Sequence, residues 1–135
     1  MRNSQAASWL PRVAKEGIRG FLTATITDRF IPGVTDPGLV NWFIDECSRN
    51  DAAYVSRFIG LMASLDWSDR VHLIRCPTLV VMPGGETVGS TRNYDVMRDK
   101  IPDVEMVTYD GMPHNICDAL PDRCAADVLR FLTKR

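Results

Sequence analysis

The sequence predicts an α/β fold in which a helical region, residues 1–70, is followed by a parallel β-α-β-α unit, residues 71–135. Upstream of residue 70, apolar residues recur at the 3.6-residue spacing of helices. Downstream, short apolar runs rich in β-branched residues alternate with helical patterns, which is typical of parallel strands joined by a crossover helix. A chain of 135 residues is long enough for one domain with one core.

The composition excludes several classes of partner. The chain has 16 Lys+Arg against 17 Asp+Glu, a formal charge of -1, and neither a basic block nor an acidic tail. We therefore expect no binding to nucleic acid or to an anionic membrane surface. No apolar run approaches the ~20 residues that a membrane span needs, and the first eight residues contain no apolar signal segment. A soluble, cytoplasmic protein is expected.

The cysteine pattern agrees with a reducing compartment. Cys47, Cys76, Cys117 and Cys124 form no C-x-x-C pair and are scattered among apolar neighbours. We expect buried, reduced thiols, with a disulfide or a zinc site as the less favoured alternative. Neither a metal ion nor a cofactor is predicted.

The helical region has two well-marked helix starts. Asp36 is suited to the N-cap position and Pro37 to the first helical position, and Asp51 opens the next helix in the same way. An earlier helix over residues 8–18 and a short helix before Pro32 complete the region. The predicted apolar stripes are Val40, Phe43, Ile44 and Cys47 on one helix, and Val55, Phe58, Ile59, Met62 and Leu65 on the next.

The second region predicts two strands and two helices. Residues 78–82 form a short apolar run, as expected for a strand that is buried on both faces, and residues 104–109 form the second strand. A helix from Ser90 or Thr91 to about Lys100 separates the two strands. The last helix begins at Pro121, and its predicted inward face consists of Cys124, Val128, Phe131 and Leu132.

Two polar residues follow the two strands. Glu86 and His114 each lie just beyond the carboxyl end of a strand, and both loops open on the same edge of a parallel sheet. They are the candidate site residues. The alternatives are a solvated acid near a helix N-terminus for Glu86 and a loop histidine bonded to backbone for His114. Gly84 and Gly85 fit no phosphate-binding motif and indicate a tight turn.

The second region resembles the C-terminal end of the α/β-hydrolase family. The helical region is similar to the cap of enol-lactonase-like and carbon–carbon bond hydrolase-like members. The resemblance implies a serine hydrolase ancestry, a triad, and an ester, lactone or related substrate. It rests on Ile74-Arg-Cys-Pro-Thr-Leu-Val-Val81, Gly84-Gly85-Glu86, Ile101-Pro102, Gly111-Met-Pro-His114, the helix from Pro121 through Phe131-Leu132, and, for the cap, residues 17–42.

The resemblance assigns roles to the candidate site residues. His114 matches the general base and Glu86 the acid that orients it; most members carry aspartate there, although the fold accepts either acid. Glutamate has a longer side chain, which must fold back to reach the histidine. The resemblance also implies that cap residues contact the substrate, although a purely structural core role is equally consistent with them. These residues are Trp42, Phe43, Phe58 and Met62.

The nucleophile of the triad has no counterpart in the sequence. No G-x-S-x-G motif, which forms the nucleophile elbow of this family, occurs in the 135 residues. We therefore expect the second half of a truncated or split hydrolase that is inactive alone, and either a homodimer or a complementary N-terminal half as partner. The alternative is a non-catalytic module that oligomerises or binds a small apolar ligand. An active enzyme that uses Cys117 or Ser90 as nucleophile is the least favoured hypothesis.

Overall fold

The computed structural model describes residues 6–134 of the chain, with side chains described from residue 8. Three helices form its first part: α1 (Ala6–Ala24), α2 (Pro37–Ser48) and α3 (Ala52–Ser64). Helix α1 is broken at Gly17, whose φ of 68° and ψ of 171° are not helical. A side chain is strained at such a φ, so glycine permits the break and lets the two halves of α1 take different directions.

The starts of α2 and α3 confirm the sequence prediction. The side chain of Asp36 accepts a hydrogen bond from the Gly38 N–H at 2.7 Å, and Pro37 occupies the first helical turn. Asp51 caps α3 in the same way by accepting from the Tyr54 N–H at 2.7 Å. Each cap satisfies a backbone donor that the helix leaves unpaired, which is worth about 1 kcal/mol.

The core of the first part lies between the three helices. Phe43 and Val55 are half-buried against it, and the ring of Phe43 stands edge-on to that of Phe30 at a centroid distance of 5.3 Å. Two members of the predicted stripe on α3 are not buried: Phe58 is 51% exposed, and Leu65, which lies just beyond the end of the helix, is 36% exposed. The buried core residues are Val13, Phe21, Leu22, Ile44 and Ile59.

Two parallel strands form the second part, as predicted. Strand β1 (Thr78–Pro83) pairs with β2 (Val104–Tyr109) in a continuous register from Thr78 opposite Val104 to Pro83 opposite Tyr109. Helix α4 (Thr91–Lys100) connects them, and a short helix α5 (Ile116–Ala119), which was not predicted, precedes α6 (Pro121–Thr133). The predicted α/β fold with a β-α-β-α unit is confirmed.

The sheet is less covered than the sequence predicts. Residues 78–82 of β1 are half-buried, whereas burial on both faces was expected. Within residues 6–134, β1 pairs with β2 along one edge and with no strand along the other. On α6, Phe131 is buried, but Leu132 and Val128, which were predicted to face inward, are 60% and 43% exposed. The free strand edge and the exposed apolar residues of α6 thus leave apolar surface uncovered.

The structure tests the predictions for the cysteine thiols and for membrane-spanning helices. All four cysteines are free thiols, but Cys76 and Cys117 are exposed, so the prediction of four buried thiols is wrong. Cys76 lies in the loop two residues before β1 and Cys117 in the four-residue helix α5, and neither stretch is long enough for an apolar period to predict which way a side chain points. None of the helices within residues 6–134 has the length and apolar character that crossing a membrane requires.

Candidate active site

A glycine turn joins the loop after β1 to the loop after β2. The backbone N–H groups of Gly84 and Gly85 donate to the carbonyl oxygens of Tyr109 at 2.9 Å and Met112 at 2.8 Å. A Cβ at Gly84 would stand 3.0 Å from the Tyr109 oxygen, and one at Gly85 would stand 3.1 Å from the Met112 oxygen. Glycine is thus required for this close approach. It fixes the loop after β1, residues 84–90 (the acid loop), against the loop after β2, residues 110–115 (the histidine loop).

Glu86 lies directly after this turn and contacts His114. Its Oε2 atom is 2.7 Å from Nδ1 of His114, and the Glu86 side chain is only 1% exposed. Its Oε1 atom accepts hydrogen bonds from the backbone N–H groups of Val88 and Gly89, both at 2.8 Å. The longer side chain of glutamate therefore folds back over its own loop and still reaches the histidine.

A fourth donor completes the surroundings of the carboxylate. The hydroxyl of Tyr94, on α4, donates to Oε2 of Glu86 at 3.3 Å. Burial, with the nearby charge of Glu86, raises the pKa of Tyr94 to about 12, so this hydroxyl keeps its proton at neutral pH. Four donors thus surround the two carboxylate oxygens, which is what a buried carboxylate needs.

These contacts decide the charge of Glu86. Burial raises its pKa, but hydrogen bonds from the Gly89 N–H, His114 and the Val88 N–H together outweigh burial, and the net pKa is lowered. Glu86 is therefore ionised at neutral pH and only accepts hydrogen bonds. It follows that Nδ1 of His114 carries a hydrogen toward Glu86, and that Nε2 is the ring atom that can accept a proton when the imidazole is neutral. The His114 side chain is 42% exposed.

The helical part is bound directly to both loops of the site. The carbonyl oxygen of Asp28 accepts from the His114 N–H, and that of Arg29 accepts from the Asn115 N–H, both at 3.1 Å. The Asp28 side chain also accepts from the Thr87 hydroxyl at 3.1 Å. The segment around residue 28 thus holds the histidine loop and the acid loop at once, a role that no pattern in the sequence indicates.

Arg29 is a buried cation close to the site. It is 7% exposed, and its guanidinium donates to the Thr25 carbonyl at 3.1 Å and hydroxyl at 3.0 Å. Its charge also lies 5.7 Å from the centre of the Phe21 ring. Burial lowers the pKa of Arg29, whereas the charges of Asp28 and Glu86 among others oppose this effect. No periodic pattern in the sequence distinguishes this arginine from a surface residue.

The predicted substrate contacts do not gather around the pair. A cavity of about 180 Å³ opens beside Glu86 and His114, between loop residues Gly89 and Ser90 and three residues of α4, but none of the four predicted cap residues lines it. Trp42 and Phe58 are 59% and 51% exposed, Met62 is half-buried and Phe43 packs against the helical core. Their role in substrate binding stays a prediction.

The two alternative nucleophiles are poorly suited to that role. Burial and the neighbouring Cys124 raise the pKa of Cys117, so the thiol is protonated and weakly nucleophilic at neutral pH. Ser90 lines the cavity beside the pair, but it directly precedes α4 and has no glycine elbow that would project its hydroxyl. Neither residue has the surroundings of an activated nucleophile.

The ionised state of Glu86 makes stability depend on pH. Because its pKa is lowered on folding, Glu86 contributes stability above the pKa of the unfolded chain, and this contribution is lost as the pH falls through the folded value. We expect Glu86→Gln to cost about 1–3 kcal/mol near pH 7, because its amide NH₂ group opposes donors that a carboxylate accepts. Urea unfolding between pH 7 and pH 3 measures both effects, and the difference between the two proteins should shrink in acid.

Glu46 provides the control for this prediction. Its side chain is 42% exposed and makes a surface ion pair with Arg49 at 3.0 Å. Glu46→Gln should change stability by less than about 0.5 kcal/mol at pH 7. A Glu86→Gln variant that is no less stable than Glu46→Gln at pH 7 would show that the four-donor arrangement is not maintained in solution.

The element order, the parallel register and the position of the pair define the class of fold. Over the part that this chain spans, the fold is that of the α/β-hydrolases. A hydrolase from Pseudomonas aeruginosa PA01 superimposes with a TM-score of 0.77 at 19% identity, over 97% of this chain and 51% of the hydrolase. A thermophilic esterase from Thermogutta terrifontis, solved with malate bound, gives 0.75 at 20% identity, over 96% and 48% of the two chains.

A third structure extends the comparison to a peptidase. Proline iminopeptidase from Mycobacterium smegmatis superimposes with a TM-score of 0.63 at 17% identity, over 96% of this chain and 46% of its own. The chain thus spans about half the length of each of the three structures. No protein-family model matches the sequence, and no curated protein matches it. The predicted resemblance to the C-terminal half of an α/β-hydrolase is confirmed at the level of the fold.

Proposed function

We propose that Glu86 and His114 are the acid and the base of a hydrolytic triad. The observation that carries the proposal is the 2.7 Å contact between the Glu86 carboxylate and Nδ1 of His114. It is supported by the burial of that carboxylate, 1% exposed, beside a histidine ring that is 42% exposed. A buried acid behind a solvent-accessible imidazole is the arrangement that general-base catalysis by histidine requires.

The proposed mechanism follows from the charge of the pair. Ionised Glu86 accepts the Nδ1 hydrogen and holds the ring, so that Nε2 takes the proton of a hydroxyl nucleophile as that hydroxyl attacks an acyl carbon. The imidazolium that forms is stabilised by the carboxylate and returns its proton to the leaving group. This chemistry suits an ester, a lactone or the β-diketone-like carbon chain of a carbon–carbon bond hydrolase.

The nucleophile is the part of the proposal that this sequence does not supply. The 135 residues contain no G-x-S-x-G motif, and Cys117 and Ser90 are poorly suited for the reasons given above. We propose that the serine belongs to a segment outside these residues, on the same longer protein or on a separate chain. The 135 residues alone are then inactive.

The uncovered apolar surface supports a complementary partner. The unpaired edge of β1 and helix α6 both belong to residues 71–135. On α6, the side chains of Leu129 and Leu132 are 61% and 60% exposed. An unpaired strand edge pairs readily with a further strand, and exposed leucines favour a packed neighbour. We propose that an N-terminal hydrolase half covers this surface, with a second copy of the chain as the alternative, and that assembly occurs in the cytoplasm, where thiols stay reduced.

A non-catalytic module is the second candidate function. Exposed aromatic and aliphatic residues on α2 and α3, among them Trp42 at 59%, Phe58 at 51% and Leu61 at 54%, favour it. Such a surface suits self-association or the binding of a small apolar ligand. In this alternative the Glu86 and His114 contact serves only to hold two loops together.

Complementation tests the proposal. The 135-residue chain is assayed with a chromogenic acetate ester alone, and again after refolding with separately expressed N-terminal halves of α/β-hydrolases that carry G-x-S-x-G. We expect no turnover above buffer from either piece alone and turnover from the mixture. Sedimentation of each sample reports whether a one-to-one complex forms.

Three outcomes decide between the candidates. Turnover by the mixture with a one-to-one complex supports the split triad. Ester turnover by the 135-residue chain alone overturns the view that it lacks a nucleophile. A stable homodimer that no N-terminal half displaces or activates would favour the non-catalytic module.

A further inference from the structure

Among the residues that the structure describes, Tyr94 is the only one on a helix that donates a hydrogen bond to the Glu86 carboxylate. Its hydroxyl donates to Oε2 of Glu86 at 3.3 Å, the same oxygen that lies 2.7 Å from Nδ1 of His114. The residue lies in the first turn of α4, eight positions after Glu86. Neither the sequence pattern nor the resemblance to hydrolases gives this tyrosine a role.

The geometry shows what a second donor on Oε2 accomplishes. The backbone N–H groups of Val88 and Gly89 hold Oε1. A carboxylate that is held only at Oε1 can still turn about its side-chain bonds, and such a rotation carries Oε2 away from the histidine. A glutamate has one more rotatable bond than an aspartate, so it has more of this freedom to lose. A donor on α4 fixes Oε2 from a rigid element rather than from a loop.

The charge of Glu86 determines which group donates in its hydrogen bond with Tyr94. Ionised Glu86 only accepts hydrogen bonds, so the tyrosine hydroxyl has to donate. The neighbouring groups that carry or share charge are His114 from the histidine loop and Arg29 from the helical part. The carboxylate thus receives donors from the loop after β1, the loop after β2 and α4.

We propose that Tyr94 is a positioning residue that holds Oε2 of Glu86 against Nδ1 of His114 and so allows glutamate to serve as the acid of the pair. The inference rests on the proposed function of the pair, but its first test does not. Removing the hydroxyl leaves Oε2 with the histidine as its remaining partner among the contacts described above. The carboxylate is then less well stabilised and less well oriented.

The test is Tyr94→Phe in the full 135-residue chain, labelled with ¹³C and ¹⁵N. The titration of the Glu86 side-chain carboxyl is followed by NMR, with its signal assigned by comparison with Glu86→Gln. We expect the midpoint for Glu86 to move to higher pH in Tyr94→Phe, because a hydrogen bond to the charged form has been lost. We also expect the Nδ1–H signal of His114 to broaden as the ring becomes less firmly held.

Tyr54 offers a matched control. It is 57% exposed on α3, far from the pair in the chain, so Tyr54→Phe should leave both signals unchanged. The complemented enzyme is the 135-residue chain refolded with an N-terminal hydrolase half that restores turnover. In it, Tyr94→Phe should lower kcat about three- to tenfold with little change in KM, as expected for the loss of one hydrogen bond that orients the base. Tyr54→Phe should leave both constants unchanged.

The outcomes separate this inference from the function on which it rests. If Tyr94→Phe lowers only the thermal midpoint and moves neither NMR signal, the tyrosine is a packing residue and the inference fails. If the signals move but His114→Ala leaves turnover by the complemented enzyme unaffected, the positioning of the pair stands and the hydrolytic function fails. If His114→Ala abolishes turnover while the signals stay unmoved, the function stands and the inference falls.

Discussion

Replacing His114 with alanine will lower ester turnover by the complemented enzyme about 10²–10⁴-fold, which is the usual contribution of a positioned general base. The reason is the geometry of the pair. Nδ1 is engaged by Glu86 at 2.7 Å, so in the proposed mechanism Nε2 receives the proton of the nucleophile. Without the ring, the serine hydroxyl has no acceptor. Steady-state kinetics on the complemented enzyme at pH 7–8 measure the loss.

The sequence offers a matched control for this experiment. Its second histidine, His72, is exposed in a 3₁₀ turn, Val71–Leu73, before β1. His72→Ala should leave turnover within about twofold, because an exposed residue without a structural role rarely changes a folded protein by more than ~0.5 kcal/mol. Equal turnover by His114→Ala and His72→Ala would mean that the pair is structural, as in the non-catalytic alternative.

The parts of the fold that the sequence predicts are those fixed by local chemistry. Asp36 and Asp51 cap the two helices that they open, because a short acidic side chain reaches the unpaired N–H groups of the first turn. Strand β2 occupies residues 104–109 as predicted, since proline and glycine bound it on either side. Glu86 and His114 could be paired because parallel strands bring the loops at their carboxyl ends together.

The parts that the sequence does not predict depend on neighbours far away in the chain. Val128 and Leu132 were assigned to the core because they share a helix face with Phe131, but the structure leaves them 43% and 60% exposed. An apolar stripe indicates which face of a helix favours burial, but it does not identify the residues that pack against that face. The same reasoning explains why β1, predicted to be buried on both faces, is half-buried with one strand beside it.

The candidate site, like the fold, is only partly predictable from the sequence. Glu86 and His114 follow from the order of elements, whereas the contact between Tyr94 and the carboxylate does not. A hydroxyl that meets a carboxylate eight residues away depends on how the loop folds back after Gly85, and no periodicity records that path. Arg29 and the carbonyl groups around it are also invisible to pattern analysis, because backbone hydrogen bonds to a distant loop carry no residue preference.

Phe30 links the stability of the helical part to the geometry of the pair. The carbonyl groups of Asp28 and Arg29, which bind the histidine loop, directly precede it in the chain. Phe30 is 2% exposed, and its ring stands edge-on to that of Phe43 at 5.3 Å. It also lines an apolar cavity of about 180 Å³. A side chain in this position anchors the segment that holds His114.

Phe30→Ala should therefore destabilise the protein by about 3–5 kcal/mol, as large-to-small changes of buried aromatic residues do. That is a large share of the 5–15 kcal/mol typical of a whole domain. The existing cavity lies along the same ring, so the void left by the substitution joins it and does not close. Urea unfolding measures the loss as a lower midpoint with an unchanged slope.

Phe58→Ala is the matched control, since it removes the same ring from a site that is 51% exposed. We expect it to cost less than about 1 kcal/mol, because little apolar surface returns to water. Similar costs for the two substitutions would contradict the burial assigned to each ring. If Phe30→Ala also broadens the Nδ1–H signal of His114 at low urea, while Phe58→Ala does not, the helical part sets the geometry of the pair as well as the stability of the fold. A signal that stays sharp in Phe30→Ala until global unfolding would confine the role of this ring to the core.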